Sequence, residues 1–265
     1  MRVLLAAFAL ALAVPAQAAT SFSTDVTDLW WNPDESGWGV NLIQQNNVVF
    51  ATFFVYDENN RAHWYVASNM AATTASASGA TFQGDLFESN GPWFGVPFNA
   101  AGVARNRVGT ANLQVAFPAS GIITYTVNGT TVTKAIRRQT WAANDASGTY
   151  EGARTILSAS NSGCNIGSSS FSGIRIAQSQ ATFSMSGNLA GVSCQFNGDY
   201  SQDGHLGASS GTFSCSNGFG GTYALGEIET TLYGFMARYS GSERNCTVSG
   251  RIGGVRTTII RQVAQ

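Results

Sequence analysis

Lysine is nearly missing from this 265-residue chain: Lys134 is the only one. Charged residues together make up 11% of it, against about 25% in average soluble proteins, and the formal net charge is −1. Such a balance offers no cationic track for nucleic acid and no polybasic patch for an anionic membrane. Only two histidines occur, His63 and His205, and there is no GxGxxG or GxxxxGK string to cradle phosphates. No cofactor is therefore expected. None of the four cysteines stands in a CxxC pair, so no zinc site is expected either. No stretch keeps a helical apolar period over three turns, which excludes a helix bundle. Beyond the N-terminus every apolar run is broken by Gly, Ser, Asn or a charge, well short of the about 20 residues of a membrane-crossing helix.

The N-terminus itself reads as an export signal. Arg2 is a short basic region, Val3 to Val14 are apolar, and Pro15-Ala16-Gln17-Ala18 supplies a small-x-small cleavage pattern. Residues 1–18 are the expected signal peptide and Ala19 the first mature residue, which places the protein in the periplasm or outside the cell. Four cysteines in that setting predict two disulfides. Cys194 and Cys215 lie equidistant from Gly204-His205, the tip of a hairpin, so they face each other across paired strands. That leaves Cys164 with Cys246, a bridge between the first and last strands of the second half.

Thirty glycines and long Ser/Thr/Asn stretches suit an all-β protein. All six tryptophans lie at or before Trp141 and all four cysteines after it. The turn-prone segment from Ala142 to Gly148 between them marks a linker. Two domains follow: a Trp-rich one at 19–142 and a disulfide-containing one at 143–265. Alternating hydrophobicity predicts strands at 36–44, 48–56, 62–67, 80–87, 104–117, 121–128 and 130–138. In the second half they fall at 148–157, 172–177, 181–186, 191–200, 206–214, 221–229, 231–239 and 246–256. Short strands joined by tight turns, with a first-to-last bridge, predict two consecutive antiparallel β-barrels or barrel-like sandwiches.

From Leu29 through Trp30-Trp31-Asn32-Pro33-Asp34-Glu35-Ser36-Gly37-Trp38 to Gly39, the chain resembles a family of exported bacterial proteins with a tryptophan-rich opening. The likeness continues from Phe50 to Asp57, at Val108 to Ala111, at Tyr125 to Gly129 and near Arg137-Arg138-Gln139. Where that family has Pro before the Trp of its third strand, this chain has His63. Its second half resembles C-terminal domains ending in a Gly-Arg-x-Gly-Gly-Val-Arg pattern, here Gly250 to Arg256. The resemblance implies export and the β architecture, and assigns no activity.

Tryptophan faces interleaved with amides and carboxylates are how proteins hold sugars and other amphipathic molecules. Trp30, Trp31, Asn32, Glu35 and Trp38, joined by Trp64 and Trp93, are the candidate ligand contacts. The same aromatics also suit a plug of core at a barrel end, and both readings stand at this point. The resulting expectation is a non-enzymatic exported protein with an aromatic-rimmed pocket for a glycan or small amphipathic ligand. One alternative is a secreted hydrolase with a carboxylate pair from distant loops. Another is an outer-membrane barrel, which needs aromatic girdles around its whole circumference. Adjacent Asp34 and Glu35 point apart on a strand and do not form an acid–base pair. Gly207 to Gly211 matches GxSxG around Ser209, but no helix follows it. Asp199 to Gly204 resembles the start of a calcium loop whose twelfth position is Ser210 rather than an acid. Turn chemistry explains it at less cost.

Overall fold

The computed structural model describes residues 25–257, so the expected signal peptide lies outside the described residues. Two closed eight-stranded barrels follow one another along the chain. The first comprises β1 (Asp28–Trp31), β2 (Gly39–Gln45), β3 (Val48–Tyr56), β4 (Ala62–Ala75), β5 (Gly79–Asn90), β6 (Ala104–Ala116), β7 (Ser120–Val127) and β8 (Thr130–Arg138). The second comprises β9 (Gly148–Ala159), β10 (Gly167–Gln178), β11 (Thr182–Leu189), β12 (Val192–Asp203), β13 (Leu206–Cys215), β14 (Gly220–Thr230), β15 (Gly234–Glu243) and β16 (Cys246–Arg256). Within each barrel every strand pairs antiparallel with its neighbours in sequence, and β1 on β8 and β9 on β16 close the rings.

Alternation decides which side chains turn inward. Along β3, Val49, Ala51 and Phe53 are wholly buried while Phe50 and Phe54 face out. Asn128-Gly129 turns β7 into β8 with positive φ at both residues, the geometry for which Asn-Gly is chosen. An eight-stranded barrel is just wide enough for side chains to fill, and both are filled. Trp30, Phe53, Phe82, Leu86 and Leu113 occupy the first. In the second, Phe196 stacks on Phe213 at 5.0 Å and meets Tyr223 edge-on at 5.3 Å.

Topology sorts the connections by end. At one end of the first barrel lie the loops 32–38, 57–61 and 91–103 and the turn 128–129; this end is its mouth. The opposite end meets the second barrel. The disulfides Cys164–Cys246 and Cys194–Cys215 both sit at the far end of the second barrel, the latter across directly paired residues of β12 and β13.

The junction is stitched, not loose. Asn144 donates from its backbone N–H to Gln202 Oε1 (2.8 Å), and from Nδ2 to the carbonyls of His205 (3.0 Å) and Ile228 (2.6 Å). Its own carbonyl accepts from Gln178 Nε2 and the Tyr200 hydroxyl. Ala146 is buried in the second core. The linker expected at 142–148 is thus the plug of the second barrel. Reaching the other way, the β12–β13 hairpin tip presses on the first barrel. His205 Nδ1 lies 2.6 Å from Asp28 Oδ2, and Arg137 Nη2 lies 3.0 Å from Asp203 Oδ1. Arg138 is 2% exposed and lies over the Trp30 ring. It donates to Asp28 and to the backbone carbonyls of Asp25, Thr27 and Pro118. A buried guanidinium needs every N–H answered, and the barrel end supplies carbonyls for it.

Candidate functional site

Two of the seven candidate side chains meet at the mouth of the first barrel. Asn32 folds the β1–β2 loop: its Oδ1 accepts from Asp34 N (2.9 Å) and its carbonyl from Glu35 N (3.1 Å). That turn aims Glu35 inward, where Oε2 accepts from the Trp38 indole N–H (3.0 Å) and from Lys134 Nζ (2.6 Å). Lys134 also lies 5.9 Å from the Trp38 ring, within cation–π range. Its inward position follows from register, since on β8 it shares a face with buried Ile136. Gly37, with φ of +118°, leaves room for the Tyr56 ring to lean over the same turn.

Beneath this clamp the floor is aromatic. Tyr125 packs at 5.1 Å from buried Phe53, and Tyr65 at 4.7 Å from the His63 ring. His63 Nε2 lies 3.1 Å from Glu88 Oε1, off the line of a hydrogen bond. Burial, followed by the charge of Glu88, pushes the Tyr65 hydroxyl up. Burial likewise raises Tyr125, with contributions from Tyr65 and Glu35. Both phenols therefore stay protonated donors at neutral pH. Glu35 moves the other way: the Lys134 hydrogen bond, helped by Trp38, holds its carboxyl below the usual range. The mouth thus presents an ionised acid, a cation, an indole face and two phenols.

The other candidates are distributed elsewhere. Trp30 is 1% exposed, bonded through Nε1 to the Val26 carbonyl, and belongs to the core. Trp31 is its neighbour on β1, turned to the opposite side and paired with Arg137. Asn32 works as a turn former. Trp64 stands on the outer wall beside Phe54, its partner in register. Trp93 is on the 91–103 loop at the mouth end, 66% exposed. Sequence reading missed Tyr65, Tyr125, Glu88 and the role of Lys134, although strand parity with Ala67, Ile123, Leu86 and Ile136 carries that signal.

The remaining motifs resolve structurally. Ser209 is buried inside the second barrel, 3.0 Å from the Tyr223 hydroxyl, while His205 belongs to the seam. Asp203 pairs with Arg137. Among the described residues no group of three or more His, Cys, Asp or Glu side chains is arranged to hold a metal. A cleft of about 690 Å³ lies at the seam, bordered by Asp25, His205, Glu151 and Glu227. These groups already hold the fold: Glu227 pairs with Arg238, Glu151 accepts from Gly173 N, and Asp25 from Thr27 N. Compared with family models and with curated protein sequences, the chain matches none.

Proposed function

We propose that this is an exported, non-enzymatic binding protein whose first barrel takes a glycan or small amphipathic ligand at its mouth. The Glu35–Lys134–Trp38 clamp carries the reading. A sugar ring stacks its apolar face on the indole while its hydroxyls exchange water for the carboxylate, ammonium and phenols around it. Because the clamp is tied to β8 and to the β1–β2 turn, it is organised before a ligand arrives. Export is supported by the signal pattern and by two disulfides, bonds that persist in oxidising compartments. No described helix is long and apolar enough to cross a membrane.

Glu35 and Glu88 come to the first barrel from distant segments, a placement that favours the hydrolase alternative. The downward shift of Glu35 fits the ionised member of such a pair and not its protonated acid. A spanning barrel would turn apolar side chains to lipid all round. Here hydroxyl pairs occupy outer walls, Thr124–Thr133 and Thr126–Thr131 at 3.0 Å and Ser158–Ser249 at 2.7 Å. Calorimetric titration of the mature protein against glycans and amphiphiles tests the proposal. Trp38→Ala and Glu35→Gln should each weaken a hit by roughly tenfold or more. Hits that survive both substitutions, or glycoside turnover that Glu88→Gln abolishes, would overturn it.

A further inference from the structure

Register explains the shape of the cleft at the seam. Glu229 pairs with Met236, Met236 with Gly253 and Gly253 with Ala153, one row across β14, β15, β16 and β9. Their sequence neighbours Ile228, Phe235, Ala237 and Ile252 are buried, so alternation turns the row outward. Gly253 puts no side chain in the middle of it, and a Cβ there would meet Phe235 O at 2.7 Å. The wall therefore sinks between Ala153 and Met236. Val255, paired with Glu151 and 68% exposed, is an apolar shoulder beside the hollow. Asp25, leading into the first barrel, and His205, on the β12–β13 tip, border it from the other side of the seam. A volume of about 690 Å³ is that of a small-molecule site, and the meeting of two domains is a common place for one.

We propose that this cleft binds a linear polyamine, its methylene groups on the sunken row and its ammonium groups at the surrounding acids. Charge decides the class. The chain is sparsely charged, yet four of its fifteen acids, Asp25, Glu151, Glu227 and Glu229, border this one hollow. Arg251 is the only arginine or lysine among the described residues that line it. Glu227 is matched by Arg238. Asp25 and Glu151 each accept one backbone N–H through one oxygen, which leaves Asp25 Oδ2, Glu151 Oε2 and the whole Glu229 carboxylate able to accept more. These acids do not converge: among the described residues no three are arranged to hold a metal. Glu151 on β9 and Glu229 on β14 stand three strand spacings apart, about 14 Å. Such spacing suits an extended chain with an ammonium at each end better than a point cation. Ala153, Met236 and Val255 between them offer apolar surface that methylenes cover and a hydrated ion does not. Ammonium-to-carboxylate bonds are charge-assisted and supply the specificity.

Calorimetric titration of the mature protein with putrescine and spermidine tests the site. Both should bind, and added salt should weaken them, because the contacts are between charges. Glu151→Gln and Glu229→Gln should each lower spermidine affinity about fivefold or more. Ala153→Phe, an outward substitution on an exposed position, should lower it at least about tenfold by filling the hollow, with the circular dichroism unchanged. Glu58→Gln removes the same charge from a turn at the mouth end of the first barrel and should leave the affinity as it was. Magnesium should not displace either amine. Absence of polyamine binding by the wild type, or affinity that both Gln variants keep, overturns the proposal. So does an equal loss from Glu58→Gln, which would reduce the effect to net charge. Magnesium binding as tightly as putrescine would make the rim a metal site instead. Self-association that Ala153→Phe abolishes, without any polyamine binding, would assign the cleft to a second copy.

Discussion

Trp30 and Trp38 flank the same turn and take opposite parts. Trp30 is sealed in the first core under Arg138, whereas Trp38 is half-buried with its N–H on Glu35. Trp30→Ala should cost about 3–5 kcal/mol of stability through the cavity it leaves, read by urea denaturation. Trp38→Ala should lower affinity with a smaller loss of stability. Protonation sharpens the contrast. A carboxyl whose folded pKa is depressed contributes above its unfolded value, and the contribution is lost as pH falls through the folded value. Affinity that depends on ionised Glu35 should therefore be flat above about pH 5 and fall below the ordinary value of 4.5. A profile breaking near neutrality instead would show that another group governs binding.

At the scale of strands, alternation made β3, β8 and β16 legible to the residue: 48–56, 130–138 and 246–256 are both the expected and the observed spans. β1 escaped notice because four residues ending beside Pro33 show no period, although two pairings with β8 close the ring through it. β4 and β10 run past their expected ends into Ala/Thr and Gly/Ser stretches, which pair because a barrel needs matched edges and not because they are apolar. The mouth was only half legible. Glu35 and Trp38 advertise themselves by local motif, but Lys134 joins them only when β8 closes on β1. The second barrel hides a comparable long-range set: Arg154 from β9 meets Glu243 and Tyr239 from β15, with Tyr239 donating to Glu243 Oε1 at 2.6 Å. Both charges are 8% exposed. Glu243→Gln should cost about 3–5 kcal/mol by leaving the guanidinium buried without its counter-charge. Replacing the pair together by Met and Leu should cost far less. Equal losses from single and double variants, in a denaturation cycle, would refute the pairing argument.

For the molecule as a whole, the seam decides whether two barrels behave as one body. Gly204 sits there at φ +61°, and a Cβ would run into Asp28 and Arg138. Gly204→Ala should therefore destabilise by at least about 1 kcal/mol, whereas Gly129→Ala, with open space around it, should lose only the backbone term. Burial pushes Asp28 up, but hydrogen bonds from His205 and Arg138 outweigh it and hold the carboxyl low. Its share of stability is thus present above 3.8 and lost on further acidification. Melting temperatures of the wild type and Asp28→Asn should draw together only as pH falls below 3.8; curves that stay parallel on further acidification would remove Asp28 from the seam's energetics.

Six indole N–H groups report on the six tryptophans, and their nuclear magnetic resonance signals follow a glycan or amphiphile titration site by site. Saturable displacement of the Trp38 signal, with the Trp30 signal fixed on the Val26 carbonyl, is the result expected if the first barrel receives its ligand at the mouth. Ligand binding that leaves Trp38 unmoved would contradict it.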